Sequence, residues 1–266
     1  DTLKSVLPLL AATALMLTGN GLHFTLTSVV AGQAQFGAAT TGLIGAAYFV
    51  GFLVGALGAP WALGKTGHGR GFAALMWLTS AALVAQWAFV EPYAWAGLRF
   101  LIGVLAAAAF TVIDSWFHFT AQNANRGRVL AIAAIVNLMA LVAGQQLLNI
   151  GAAPSPELFL LSAGILALSV VSLLVTRLQP PPATSARLPR LHLLARASPV
   201  GVAGQVVAGF VNAPFWVLAP VYIASLGYAE DTVAPFMSAA ILGAAILQWP
   251  IGHASDRRDR RLVAVV

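Results

Sequence analysis

Long apolar runs separated by short polar intervals make up almost the whole chain. A helix needs about 20 apolar residues to cross the hydrocarbon of a bilayer. Eight runs reach that length, at roughly 6–30, 41–63, 71–90, 93–118, 128–150, 157–177, 199–225 and 232–252. Their apolar positions are continuous, unlike the short alternating strands of a membrane β-barrel. The pattern therefore predicts an all-α polytopic membrane protein. The longest polar interval follows the sixth run and reads Gln179-Pro-Pro-Pro-Ala-Thr-Ser-Ala-Arg187, then Leu188-Pro-Arg-Leu-His192. A proline run cannot continue a helix and acts as a semi-rigid spacer. The stretch 187–196 after it predicts a short interfacial helix. The expected organisation is a six-span bundle over 1–177, a cytoplasmic linker over 178–198, and the start of a second bundle over 199–266.

Composition strengthens this picture. Of 266 residues, 59% are hydrophobic and 8% charged, against about 45–50% and about 25% in soluble domains. So few charges cannot keep a folded surface in water. Mean hydropathy is +0.86. The placement of charge then fixes an orientation. Lys4 precedes the first span, Lys65 and Arg70 lie between the second and third, and Arg126 and Arg128 between the fourth and fifth. Arg177, Arg187, Arg190 and Arg196 lie around the linker, and Arg257, Arg258, Arg260 and Arg261 follow the eighth span. All these positions share one side. The loops of the other side hold Glu91, Glu157, Glu230 and Asp231 and no Lys or Arg. By the positive-inside rule the N-terminus and the basic loops are cytoplasmic. The net charge of +6 is thus a topology signal, and no nucleic-acid partner is expected. The absence of cysteine excludes disulfides, thiolate metal sites and a cysteine nucleophile. The first run is too long for a signal-peptide core, and residue 1 is Asp, so an initiator or longer N-terminus is expected to be missing.

An internal repeat is visible at an offset of 192 residues, which pairs Gly51 with Gly243, Gly67 with Asp259, and Asn20 with Asn212. Weak similarity at long period is how transporter repeats show in sequence. The run Gly252-x-x-Ser255-Asp256-Arg257-x-x-Arg260-Arg261 resembles the loop motif of the major facilitator superfamily, which follows its spans two and eight. Arg99-x-x-x-Gly103 resembles the family's span-four motif. Tyr48-Phe-x-Gly51-x-x-x-Gly55, Asp114-Ser115, Asn125-Arg-Gly-Arg128, Gly144-Gln145 and Gln248-Trp-Pro-Ile-Gly252 add local matches, similar to the YcaD-like branch of bacterial inner-membrane carriers. The resemblance covers nearly the whole chain. It implies a major-facilitator-type helical bundle, with a six-span N-terminal half and the first two spans of a second half. Two departures stand out. In the first loop motif, Gly64 replaces an Asp, and His68 and Gly69 replace basic residues. The family has twelve spans, whereas this chain stops at Val266, which reads either as a fragment of a carrier or as a shortened relative.

An ionisable side chain inside a span is costly and marks a candidate site. Arg99 is the first case. The resemblance implies an arginine facing a central cavity and tied to proton or substrate binding; the alternative is a brace bonded to a neighbouring helix. Asp114 is the second. It lies 15 residues further on, about 22 Å along a helix, so the two cannot pair directly. A basic group of the first loop, Lys65 or Arg70, is its expected partner. The resemblance implies that such pairs latch the cytoplasmic side, with Asp256, Arg257, Arg260 and Arg261 serving the second loop. A proton-carrying Asp114 is the rival. Asn20 and His23 share one face of span one. Asn137, Gln145 and Asn149 form a stripe on span five, where hydrogen bonds between helices are the plain reading. Asn20, His23, Asn137, Asn212 and Trp216 are the cavity candidates beside Arg99, and His23 has no second His near it for a metal. Trp87, Tyr93 and Trp95 at the outer ends, and Trp61 and Trp116 at the inner ends, read as interfacial anchors. Gly51 with Gly55, and Gly201 with Gly204 and Gly209, predict close helix approach.

The reading that joins these observations is a secondary active transporter of a small solute, proton-coupled and working by alternating access in a bacterial inner membrane. The alternative is a carrier-derived, non-transporting subunit or assembly factor packed against other membrane proteins. An enzyme is not expected, since G-x-S-x-G, H-E-x-x-H and phosphate-loop spacings are missing. No cofactor or metal is expected. The partners are the bilayer, a small solute and protons.

Overall fold

A computed structural model describes residues 2–120, 126–150, 154–174, 181 and 191–257, with side chains except at 2–5, 126, 128, 191, 194 and 249–257. Nine α-helices lie among these residues: α1 (Thr2–Gln33), α2 (Ala38–Thr66), α3 (His68–Ala88), α4 (Pro92–Thr120), α5 (Arg126–Gln146), α6 (Leu158–Leu174), α7 (Leu191–Ala197), α8 (Pro199–Ser225) and α9 (Val233–Arg257). Seven helices are long and apolar enough to cross a membrane, and α6, with 17 described residues, is a shorter apolar helix. Together these eight match the eight runs read from the sequence. The short α7 occurs where an interfacial helix was expected, and the proline run before it lies outside the described residues apart from Pro181.

The first six helices interlock out of sequence order. α2 lies along α4, α1 packs between α5 and α6, and α3 packs on α6 and α4. Helices adjacent in sequence touch little, α3 and α4 excepted. Small residues allow the closest of these contacts. A Cβ on Gly51 would strike the Phe100 carbonyl oxygen, and one on Gly55 the Val104 carbonyl oxygen. From the other side, a Cβ on Gly103 would strike the Tyr48 carbonyl oxygen. The two backbones thus touch, as small-residue spacing in membrane helices permits. Gly67 alone separates α2 from α3 and holds φ at 73°, a left-handed conformation that costs glycine nothing. The α8 glycines are a correction. Gly204 and Gly209 have nothing within 4 Å of a built Cβ, and Gly201 meets only Ser198 of its own helix start. That half of α8 stands away from the bundle, so its glycines serve no helix contact among the described residues.

The core is one large cluster shared by the first six helices. Trp95 lies at its outer end and is 0% exposed. Its ring stands edge-on to Phe36 at 5.4 Å and Phe159 at 5.6 Å, and its Nε1–H donates to the Gln86 carbonyl oxygen at 3.0 Å. The expected interfacial anchor is therefore a core residue, and the last turn of α3 supplies the partner for its indole N–H. Trp116 is likewise buried, whereas Trp61, Trp87 and Tyr93 are exposed at the levels expected of a belt.

Candidate functional site

A cavity of about 460 Å³ lies among α1, α2, α4, α5 and α8. α1 turns Leu17, Asn20, Gly21 and Phe24 into it, and α5 turns Asn137, Leu141 and Gln145. The three- and four-residue spacings put each set on a single helix face. Tyr48, Phe49 and Phe52 of α2, Phe110 of α4 and Trp216 of α8 complete the wall. Phe24 meets Tyr48 edge-on at 5.0 Å and Trp216 at 6.4 Å. Gln145 donates from Nε2 to the Gly21 carbonyl oxygen at 3.1 Å, which ties α5 to α1 and fixes the orientation of its amide. Its Oε1, and the Oδ1 of Asn137, are buried without a partner.

Arg99 stands behind this wall. It is 1% exposed, with its guanidinium 4.6 Å from the ring centres of both Phe24 and Tyr48. One Nη lies 3.1 Å from His23 Nδ1, and His23 Nε2 lies 2.9 Å from Asn20 Oδ1. Arginine can only donate and a carbonyl oxygen can only accept, so the chain of bonds has one direction. Arg99 donates to Nδ1, and the Nε2–H of a neutral His23 donates to Asn20. Protonating Nδ1 would set two donors face to face. The pairing of Asn20 with His23 follows the spacing read from the sequence; the contact of His23 with Arg99 joins α1 to α4 and no spacing encodes it. Asn137 instead sits across the cavity, on α5. Arg99 Nε has no partner.

Other candidates fall elsewhere. Asn212 is exposed and donates to the Ala208 carbonyl oxygen of its own helix at 2.9 Å; it is not brought to the cavity, because that part of α8 faces outward. Asp114 is exposed, and no ion pair within 4.0 Å joins it to Lys65 or Arg70 among the described residues. Lys65 lies over the Trp61 ring at 3.8 Å. The link between the first loop and α4 is one the sequence reading missed: His68 Nε2 lies 3.0 Å from Ser115 Oγ. Ser115 spends its single hydrogen on the Val112 carbonyl oxygen at 2.8 Å, so His68 is the donor. The only sequence signal was an odd residue, His68, in a motif position expected to be basic. The side chains of Asp256 and Arg257, and all of Arg260 and Arg261, lie outside the described residues.

The bundle is fastened to α8 and α9 through their outer halves. Val29, Ile223, Val233 and Met237 form a small apolar cluster there. Gln33 Nε2 donates to Glu230 Oε2 at 2.8 Å and to the Pro154 carbonyl oxygen at 3.0 Å. Asn149 Nδ2 donates to the Asp231 carbonyl oxygen at 3.0 Å, and Gln146 Nε2 to Ser238 Oγ at 2.8 Å. On α8, by contrast, residues 199–212 are exposed apart from the half-buried Val202. Among the described residues, the outer halves of α8 and α9 are fastened to the bundle, whereas the inner half of α8 stands exposed.

Comparison with known proteins agrees with this architecture. The sequence profile of the Major Facilitator Superfamily matches residues 9–266. The uncharacterized MFS-type transporter YcaD of Salmonella newport (strain SL254) is 26% identical over 262 residues, covering 98% of this chain and 69% of the relative. The same-named protein of Salmonella heidelberg (strain SL476) is 26% identical over 263 residues, with the same coverage. Crystal structures of the nucleoside transporter NupG share the fold. A mutant form superposes with a TM-score of 0.74 at 14% identity over 97% of this chain and 69% of its own. A second NupG structure gives 0.72 at 15% identity over 94% and 67%.

Proposed function

Because the chain belongs to the Major Facilitator Superfamily, we propose that it is a secondary transporter that holds a small solute in the central cavity and exposes it alternately to the two sides of a bacterial inner membrane. The N-terminus and basic loops face the cytoplasm in this reading. The observation that carries it is the position of the cavity: it lies where α8 meets α1, α2, α4 and α5, between a fastened outer end and the exposed inner half of α8. A site held between two units that rock against each other is how carriers built from repeated halves alternate. Asn20, Asn137 and Trp216 touch the solute, and Arg99 with His23 stiffens the wall behind it. His23 and Arg99 also supply the proton coupling, since a proton on His23 Nδ1 cancels its bond to Arg99.

Gates follow from the same geometry. The amides Gln33, Gln146 and Asn149 fasten the outer side. Asp114, Lys65 and Arg70, with Asp256, Arg257, Arg260 and Arg261 of the second loop, close the inner side in the opposite state.

The test uses a fluorophore pair in this cysteine-free chain, on Gln35→Cys and Tyr228→Cys, both exposed at the outer ends. Single molecules in nanodiscs are expected to exchange between a short and a long separation. Gln33→Ala removes the one hydrogen bond that Gln33 makes across to Glu230, worth about 0.5–1.5 kcal/mol, and shifts the balance toward the long separation by roughly twofold or more. Asp114→Asn shifts it the other way. A single unchanging separation in all three proteins refutes the reading.

A further inference from the structure

We propose that the cavity selects an uncharged solute built on a flat ring and carrying hydrogen-bond donors. This deepens the carrier reading and rests on it. Among the described residues, no Asp, Glu, Lys, Arg or His lines the cavity. The nearest described cation is Arg99, and it is not available to a ligand. The rings of Phe24 and Tyr48 pack against it at 4.6 Å, it is not among the residues that line the cavity, and His23 takes one of its N–H groups. A carboxylate or phosphate entering the cavity would give up its hydration and reach no cation, which is costly. An ammonium fares no better. Aromatic faces attract cations, and those of Phe24 and Tyr48 already serve Arg99; against the other rings the guanidinium behind the wall repels a second positive charge at low dielectric.

The two sides of the wall differ. α1 and α5 supply the amides Asn20, Asn137 and Gln145, while α2, α4 and α8 supply Tyr48, Phe49, Phe52, Phe110 and Trp216. A ring settles against the aromatic side, where edge-to-face and offset contacts add to burial. Its polar substituent then meets the amides. There the acceptors are in excess: Asn20 Oδ1 already accepts from His23, but Asn137 Oδ1 and Gln145 Oε1 accept from nothing. Buried acceptors without partners are costly and are relieved by a donor, so the substituent presents N–H or O–H groups toward α5. The volume of about 460 Å³ lies within the range of small-molecule sites.

The experiment is equilibrium dialysis of the protein in nanodiscs against four radiolabelled probes. Indole-3-acetamide is neutral, indole-3-acetate is its anionic congener, tryptamine its cationic one, and myo-inositol a neutral solute without an aromatic ring. The amide is expected to bind at least tenfold more tightly than either charged indole, with myo-inositol not retained. Asn137→Leu and Trp216→Ala are each expected to weaken the amide at least fivefold while the protein stays folded at the temperature of the dialysis. Equal or tighter binding of the acetate or of tryptamine overturns the proposal. So does amide binding untouched by both substitutions, or no retention of the amide at millimolar concentration. Dialysis requires no conformational exchange and the fluorophore pair requires no ligand, so the two readings fail independently.

Discussion

Arg99 and His23 make a buried pair whose two members should respond unequally to removal. Arg99→Met deletes a charge whose insertion costs about 2.5–3.5 kcal/mol at a helix centre. It also gives up a charged hydrogen bond worth about 1.5–3 kcal/mol and two ring contacts of about 0.5–2 kcal/mol each. These terms partly offset, and methionine fills much of the volume. The net change is expected to lie between a gain of about 1 and a loss of about 4.5 kcal/mol, before the acceptor left open on His23. His23→Leu is the harsher change. It leaves the guanidinium buried with its paired N–H orphaned beside an Nε that already lacks a partner. Removing one partner of a buried charge costs about 3–5 kcal/mol. The double variant Arg99→Met/His23→Leu has neither charge nor orphan, so it should be more stable than His23→Leu alone, with a coupling of about 1–3 kcal/mol. Unfolding by denaturant in detergent micelles, followed by fluorescence, gives the four free energies of the cycle. If the double variant loses the sum of the two single losses, Arg99 and His23 act independently and the bond chain toward Asn20 has no energetic meaning.

Two other outcomes follow from geometry alone. Gly51→Ala drives a methyl group into the Phe100 carbonyl oxygen and should lower the yield of folded protein severely, by about 3 kcal/mol or more against the usual range for overpacking. Gly58→Ala meets nothing within 4 Å and should leave that yield unchanged. For orientation, cysteines at Gln35 and Glu91 should react with an impermeant thiol reagent from outside intact cells, and cysteines at Gly69 and Arg196 only after permeabilisation; the reverse pattern overturns the charge-based topology.

What could be read beforehand has a physical boundary. Span positions were legible because the bilayer demands long apolar runs, and Arg99 stood out because a charge in such a run is rare. The Asn20–His23 bond was legible because three residues apart on a helix means one face. Facing direction was harder. α3 and α5 are apolar around most of their circumference, so nothing in the sequence says which side of such a helix meets protein and which meets lipid. Trp95, in the first turn of α4, was read as an interfacial anchor from its level alone, although its ring closes the core. Asn212 was paired with Asn20 by the repeat, but a repeat fixes position along a helix and not its rotation or distance from the axis. The His68–Ser115 bond joins two helices by contact, which no single-helix pattern encodes. The same applies to the neutrality of the cavity, which depends on Arg99 lying behind two rings.

The interlocked order of the helices bears on how the protein is made. Translation delivers helices in sequence, yet α2 finds its long contact only in α4, and α1 finds its partners only in α5 and α6. Until α4 leaves the ribosome, α2 has the carbonyl-touching face of Gly51 and Gly55 turned to lipid, and α1 keeps Asn20, His23 and Thr27 unshielded. Pairing helices distant in the chain also carries the entropy of closing the intervening loops. A nascent chain arrested after α3 would therefore hold three helices in the membrane with no packed core between them. The first six spans reach a mutually supported arrangement only when α6 arrives, which makes the interval before that moment the one in which an insertase or a quality-control protease has most to recognise.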